Sequence, residues 1–212
     1  MEKQATKMWS YRMTDDMMMS PNPLGGILTL ATCKPTIRKS TQTVPGVWIA
    51  GWTARTVNNS PIAAEKATDY EKERLIYLAK VSEKLSYTEY WEKYPQKRPV
   101  EGVDESYVGY YGDNYYYQED GEKKRAFTNQ KHTEKEVTSD WNGKNAIVCE
   151  EFYYFTPENR LSALGFESLI HTTQGVALKQ GELVDKFIEY VKDAAKGLGY
   201  SQGVIGDLKL HE

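Results

Sequence analysis

The segment Ser20-Pro21-Asn22-Pro23-Leu24-Gly25-Gly26 restricts this chain more than any other stretch of its sequence. Proline holds φ at about −65° and has no amide hydrogen, so two prolines two residues apart exclude a helix and leave a rigid loop. The paired glycines then allow a tight turn, because glycine enters positive φ without steric cost. Residues 27–31 form a short apolar run that reads as a buried strand. Residues 32–39 read as a short helix, with Pro35 suited to its first turn and Thr32 or Lys34 near its cap.

The flanking sequence supplies further short elements. Residues 8–13 alternate bulky and polar side chains and suit an opening strand. Residues 47–51 read as a strand after the Pro45-Gly46 turn, and the polar stretch 53–66 as a mobile loop. Residues 75–81 are the clearest central strand. Ser86 and Glu89 have the spacing of a capping box, which opens a helix that Pro95 ends. Six of the sixteen tyrosines fall between residues 107 and 117, which predicts a hairpin turning at Gly112-Asp113-Asn114. Residues 119–135 are charged and read as loop, and 146–155 as one apolar strand after an Asn142-Gly143 turn. Val184, Phe187, Ile188, Val191 and Ala195 recur at helical spacing, with Glu182 before them and Lys192, Lys196 and Gly197 after. Short strands with two or three flanking helices predict an α+β fold with a curved or barrel-like, mostly antiparallel sheet. With no repeat or linker, 212 residues suit a single domain over 1–212.

Several functional classes are disfavoured. A formal net charge of −3 does not suit a general duplex-DNA binder, which gains its affinity by neutralising phosphates. Cys33 and Cys149 are far apart and lack metal-ligand spacing, so two small buried thiols in a reducing cytoplasm are expected. The opening Met-Glu-Lys-Gln lacks the basic and apolar regions of a secretory signal, and no apolar run approaches the ~20 residues needed to cross a bilayer. There is no phosphate-binding P-loop, dinucleotide fingerprint, nucleophile elbow or histidine pair at zinc spacing, so neither a cofactor nor a metal is expected.

The block from Ser20 to Gly26, followed by Thr29-Leu30-Ala31-Thr32-Cys33-Lys34-Pro35 and Ile37-Arg38, closely resembles the nucleotide modification associated domain 2 family of phages and bacteria. The resemblance continues through Gly46-Val47-Trp48, residues 75–81, Glu89-Tyr90-Trp91, Lys97-Arg98-Pro99, Gly112-Asp113-Asn114-Tyr115 and Glu151-Phe152-Tyr153-Tyr154-Phe155. It departs where the family has Gly-Asp-Trp, here Gly46-Val47-Trp48, and where its histidine-rich segment is reduced to the area of His132. The resemblance implies a setting of DNA base hypermodification. The order of elements is also similar to the PUA, ASCH and EVE superfamily, whose small barrels bind modified bases or RNA, an analogy of fold alone.

Two candidate sites follow. The first is the loop and helix start holding Asn22, Gly25, Gly26, Lys34 and Arg38. Its glycines let a ligand approach the backbone, and its two cations, four residues apart, would share a helix face and meet a phosphate. The plain alternative is a stiff connector with solvated charges. The second is aromatic: Trp48 and Trp52, with Tyr110, Tyr111, Tyr115, Tyr116 and Tyr117, offer faces for a base, and Asp113 and Asn114 offer hydrogen bonds to its edge. Alternation along a strand would bury about half of those tyrosines, and Asp113 and Asn114 also suit a turn. The expected function is therefore binding of a nucleotide or modified nucleobase, in DNA base modification or in sequestering a nucleotide immune signal. An enzyme acting on a nucleotide or DNA base through Asp15, His132 or Glu150 is the alternative. A third reading makes the aromatics a contact surface for another chain, which for a second copy means a homo-oligomer.

Overall fold

A computed structural model describes residues 5–16, 18–58, 73–99, 112–126, 134–171 and 175–207. The central element is an open mixed sheet. Its strands are β1 (Lys7–Asp15), β3 (Trp48–Asn58), β4 (Arg74–Lys80), β9 (Glu151–Phe155), β10 (Leu161–Ser162), β11 (Val176–Gln180) and β12 (Gly203–Ile205). They run in the order β11-β1-β3-β4-β9-β12, with the short β10 also paired to β4. The β1–β3 and β9–β12 pairs are parallel and the others antiparallel. A smaller antiparallel sheet places β8 (Asn145–Cys149) between β2 (Leu28–Leu30) and β5 (Glu83–Ser86). A separate hairpin is formed by β6 (Tyr116–Glu119) and β7 (Glu122–Arg125).

Alternation along the strands sorts side chains onto two faces. Met8, Trp48, Ala50, Trp52, Leu75, Leu78, Tyr153 and Phe155 face helix α4 (Glu182–Gly197), which buries Val184, Phe187, Ile188, Val191 and Ala195 against them. Trp9, Tyr11, Met13, Ile49, Ile76, Ala79, Phe152 and Tyr154 face the small sheet and meet Leu28, Leu30, Ile147 and Cys149. Beyond the small sheet, Ala31, Ala146 and Val148 pack under Tyr90 and Tyr94 at helix α2 (Tyr87–Lys93). The layers thus run helix, sheet, sheet, helix. The chain leaves the large sheet for the small one twice, from β1 to β2 and from β4 to β5, and returns twice, from β2 to β3 and from β8 to β9.

The α+β class is as expected, and the differences have local causes. The sheets are open, with β11 and β12 as the edges of the larger one. Four α-helices flank them instead of two or three, because α3 (Glu134–Gly143) forms between the end of the expected 119–135 loop and the expected Asn142-Gly143 turn, taking in both ends. Val137 and Trp141, four residues apart, give α3 its apolar stripe over Tyr87 and Tyr116. Residues 53–58 continue β3 through backbone pairing with β1, and 59–66 lie outside the described residues. The run 146–155 is two strands in two sheets, separated at the exposed Glu150. The hairpin turns at Asp120-Gly121, where both residues take positive φ, and the buried Asp113 and Asn114 precede it. Tyr107, Tyr110 and Tyr111 lie outside the described residues.

Phe187 joins helix to sheet, with its ring centroid 5.1 Å from that of Trp52 and 5.2 Å from that of Phe166. Phe187→Ala is expected to cost about 4 kcal/mol of stability, measured by urea unfolding.

Candidate functional site

The Pro-Asn-Pro-x-Gly-Gly segment is a small hairpin. Asn22 and Thr29 exchange backbone hydrogen bonds of 2.9 Å in both directions, and Gly25 and Gly26 form its exposed tip at φ 74° and 80°. The groups that converge beneath this tip are oxygens. The buried Lys97 ammonium donates to Asn22 Oδ1 at 3.0 Å, Asn22 O at 3.2 Å, Ile27 O at 2.8 Å and Leu24 O. Burial pushes the Lys97 amine down to about 8, and the Asp113 carboxylate opposes the shift.

Asp113 ties down the other arm. Its Oδ1 accepts from Thr29 Oγ1 at 3.0 Å and from the Tyr90 hydroxyl at 2.6 Å, and its Oδ2 from the Ala31 amide at 3.1 Å. Burial raises the Asp113 pKa, and the Lys97 charge and these hydrogen bonds oppose the rise. Asn114 donates from Nδ2 to the carbonyls of Tyr90 and Tyr94 at 3.1 and 3.0 Å. The structure therefore brings Asn22, Asp113 and Asn114 together around Lys97.

Lys34 and Arg38 do not share a face. Cys33 and Lys34 both take left-handed backbone, at φ 54° and 40°, and helix α1 (Pro35–Lys39) starts only after them. Each such residue costs roughly 1–2 kcal/mol relative to ordinary backbone. The turn at Lys34 sends its ammonium over the Tyr11 ring, 4.4 Å from the centroid, with the Arg12 carbonyl 3.5 Å away. Among the described residues Lys34 makes no ion pair. Burial lowers its pKa, and the Cys33 sulfur pulls the other way. The glycine tip and Lys34 flank opposite ends of β2, on the order of 15 Å apart at strand rise, so one phosphate does not span them.

Arg38 is fully buried. Its five N–H groups meet five acceptors: Cys33 O at 2.6 Å, the Tyr87 hydroxyl, Asn145 O at 2.9 Å, Asp140 O at 3.1 Å and Asp140 Oδ1 at 3.5 Å. Asp140 also accepts from the Cys33 amide at 2.7 Å and the Tyr116 hydroxyl at 2.8 Å. Asp140, Tyr87 and Lys97 are not among the expected site residues; Lys97 enters the sequence reading only through the Lys97-Arg98-Pro99 block of the resemblance, and nothing local marks any of them as a partner of the loop.

The predicted aromatic surface is dispersed. Trp52 is fully buried against α4 and donates to Ser10 Oγ at 3.1 Å. Trp48 is buried on the same face, with Lys80 and Lys192 ammonium groups 5.7 and 5.4 Å from its ring centre. Tyr115 is buried beside Met19, its hydroxyl 3.7 Å from the sulfur. Trp91 and Tyr117 are half-buried and stacked at 4.8 Å, with the Arg98 guanidinium 3.7 Å over Trp91.

The carboxylates do not gather either. Met8, Trp48, Lys80 and Glu151 lie in one row across the large sheet, and Asp15 is seven residues further along β1. That spacing is roughly 23 Å, so Asp15 and Glu150 do not converge. His132 and His211 lie outside the described residues. Beneath the Cys33–Lys34 corner, Tyr11 and Tyr77 pair through their hydroxyls at 2.7 Å. Burial raises the Tyr11 pKa, Tyr77 opposes this, and Cys33 and Asp16 add to it. Asp16 itself is buried with Arg160 at 2.6 Å and accepts from the Tyr154 hydroxyl.

Lys97→Met is expected to strand the tip oxygens. A loss of about 3 kcal/mol by urea unfolding, with new protease cleavage at the Gly25-Gly26 tip, is the expected outcome.

No curated protein and no solved structure matches the chain. No helix among the described residues is long and apolar enough to cross a membrane, and no cluster of metal-ligating side chains is found among them. The profile of the nucleotide modification associated domain 2 family matches residues 5–205. That span takes in the proline hairpin, the Cys33–Lys34 corner, the Arg38–Asp140 pair and the C-terminal helix, and the chain belongs to the nucleotide modification associated domain 2 family.

Proposed function

We propose that this chain binds a nucleotide or a modified nucleobase and that an anionic oxygen of the ligand meets the Lys34 ammonium. The observation that carries the proposal is a half-buried cation, over an aromatic ring, that has no ion-pair partner among the described residues. A desolvated ammonium gains most from a charged acceptor, and a phosphate supplies one. In this reading Asn22, Gly25, Gly26, Asp113 and Asn114 maintain the hairpin beside the site. Arg38 shapes the corner, and Trp48, Trp52 and Tyr115 act from the core. Family membership places the chain in a nucleotide-modification setting. Within it we favour a single-domain phage protein over 1–212, working in the host cytoplasm either in DNA base modification or as a sink for a nucleotide immune signal. We read the repeated passage of the chain between the two sheets, at β2 and again from β5 to β8, as a link with PUA-like barrels.

Binding is favoured over catalysis because Asp15 and Glu150, two carboxylates considered as acid and base, stand far apart along the sheet. The test mixes the protein with nucleoside phosphates, cyclic dinucleotides and single-stranded DNA, records thermal shifts, and identifies the recovered ligand by mass spectrometry. A rise in Tm with a phosphorylated ligand recovered unchanged is expected. Lys34→Ala is expected to weaken that ligand about tenfold, or about 1.4 kcal/mol, without changing the Tm of the free protein. Conversion of the ligand would establish an enzyme, and no shift with any component would overturn both readings.

A further inference from the structure

We propose that the buried Asp140–Arg38 pair is a positioning device that holds Cys33 and Lys34 in left-handed backbone and so aims the Lys34 ammonium across the Tyr11 ring. For its functional meaning this rests on Lys34 being the ligand contact. The geometry stands without that reading.

Both backbone polar groups of Cys33 are taken by the pair. Its amide donates to Asp140 Oδ1 at 2.7 Å, and its carbonyl accepts from Arg38 Nε at 2.6 Å. These two bonds fix the peptide planes on either side of Cys33. A non-glycine residue settles in the left-handed region only when its surroundings over-determine it, and here two do so in succession. The pair is itself held from several directions. Tyr116 and Tyr87 donate to Asp140, and Asn145 accepts from Arg38 at 2.9 Å. A methyl group at Gly143 would lie 2.3 Å from the Arg38 guanidinium carbon, so the backbone of α3 is open at the one place where the guanidinium enters. Among the described residues, the Tyr11 ring, the Arg12 carbonyl and the Cys33 sulfur lie near the Lys34 ammonium. Its lowered pKa reflects that enclosure.

The test uses the full chain with lysines reductively methylated with carbon-13, the Lys34 signal being the one lost in Lys34→Arg. NMR follows this signal against pH and against inorganic phosphate. In the native protein it is expected to titrate below the exposed lysines. In Asp140→Asn, which keeps shape and removes charge, the midpoint is expected to return to the exposed-lysine range, and any phosphate response to fall about tenfold. Adding Cys33→Gly, for which left-handed backbone is cheap, is expected to restore both. An unchanged Lys34 titration in Asp140→Asn overturns the proposal, as does failure of Cys33→Gly to restore it. If Asp140→Asn does not fold, amide hydrogen exchange of the native protein decides. The Cys33 amide exchanges far more slowly than those of the Gly25-Gly26 tip if the pair grips it, and equal rates overturn the proposal. If phosphate moves the Lys34 signal in no variant while the titrations follow the expected pattern, the device is upheld and the anion-binding role of Lys34 fails.

Discussion

A guanidinium taken out of water must find an acceptor for every N–H or carry a desolvation cost of several kcal/mol. Arg38 meets that demand by drawing on four parts of the chain: the corner after β2, the start of α2, the end of α3 and the start of β8. Asp140 and Asn145 are close in sequence, but Cys33 and Tyr87 are far from them. Arg38 thus adds one shared polar tie to segments that also pack through Leu28, Leu30, Ile147, Tyr87 and Trp141. Charge balance comes from Asp140, which in turn reaches Cys33 and Tyr116.

The other half of the molecule rests on different physics. Helix α4 and the large sheet meet chiefly through aliphatic and aromatic side chains, with the bond from Trp52 to Ser10 inside that layer and the Lys192–Glu151 ion pair at its margin. Apolar contacts tolerate small displacements, whereas a five-acceptor shell does not. The candidate site lies on the polar side, where backbone geometry is most tightly prescribed. An ammonium held as Lys34 is, already aimed, would lose less freedom on meeting an anion.

Local patterns were legible and distant partnerships were not. The five apolar positions of α4 are all buried, because helical spacing alone decides which side chains share a face. The Ser86–Glu89 capping box is present for the same reason, being complete within four residues. Gly112-Asp113-Asn114 has turn chemistry, yet Asp113 is buried because Thr29, Ala31 and Tyr90 supply its hydrogen bonds from far along the chain. The Lys34–Arg38 spacing implies one helix face only if the helix includes both residues, and the left-handed turn at Lys34 removes that condition. Trp48 and Trp52 are even-spaced on one strand, and which face that is depends on where α4 docks. Family resemblance drew attention to the segment around residues 20–38, and the partners of its side chains needed the packing.

The oxygen cradle under the proline hairpin has a consequence for the medium in which the protein works. Rings of carbonyl oxygens commonly recruit dissolved potassium or sodium, and then their shape varies with the supply of that ion. Here the occupant is the terminal ammonium of Lys97, attached to the same chain and present at a fixed, high effective concentration. The tip thus carries its own counter-ion. While that ammonium stays charged, the oxygens beneath the glycine turn already have a cation and need none from the surrounding salt.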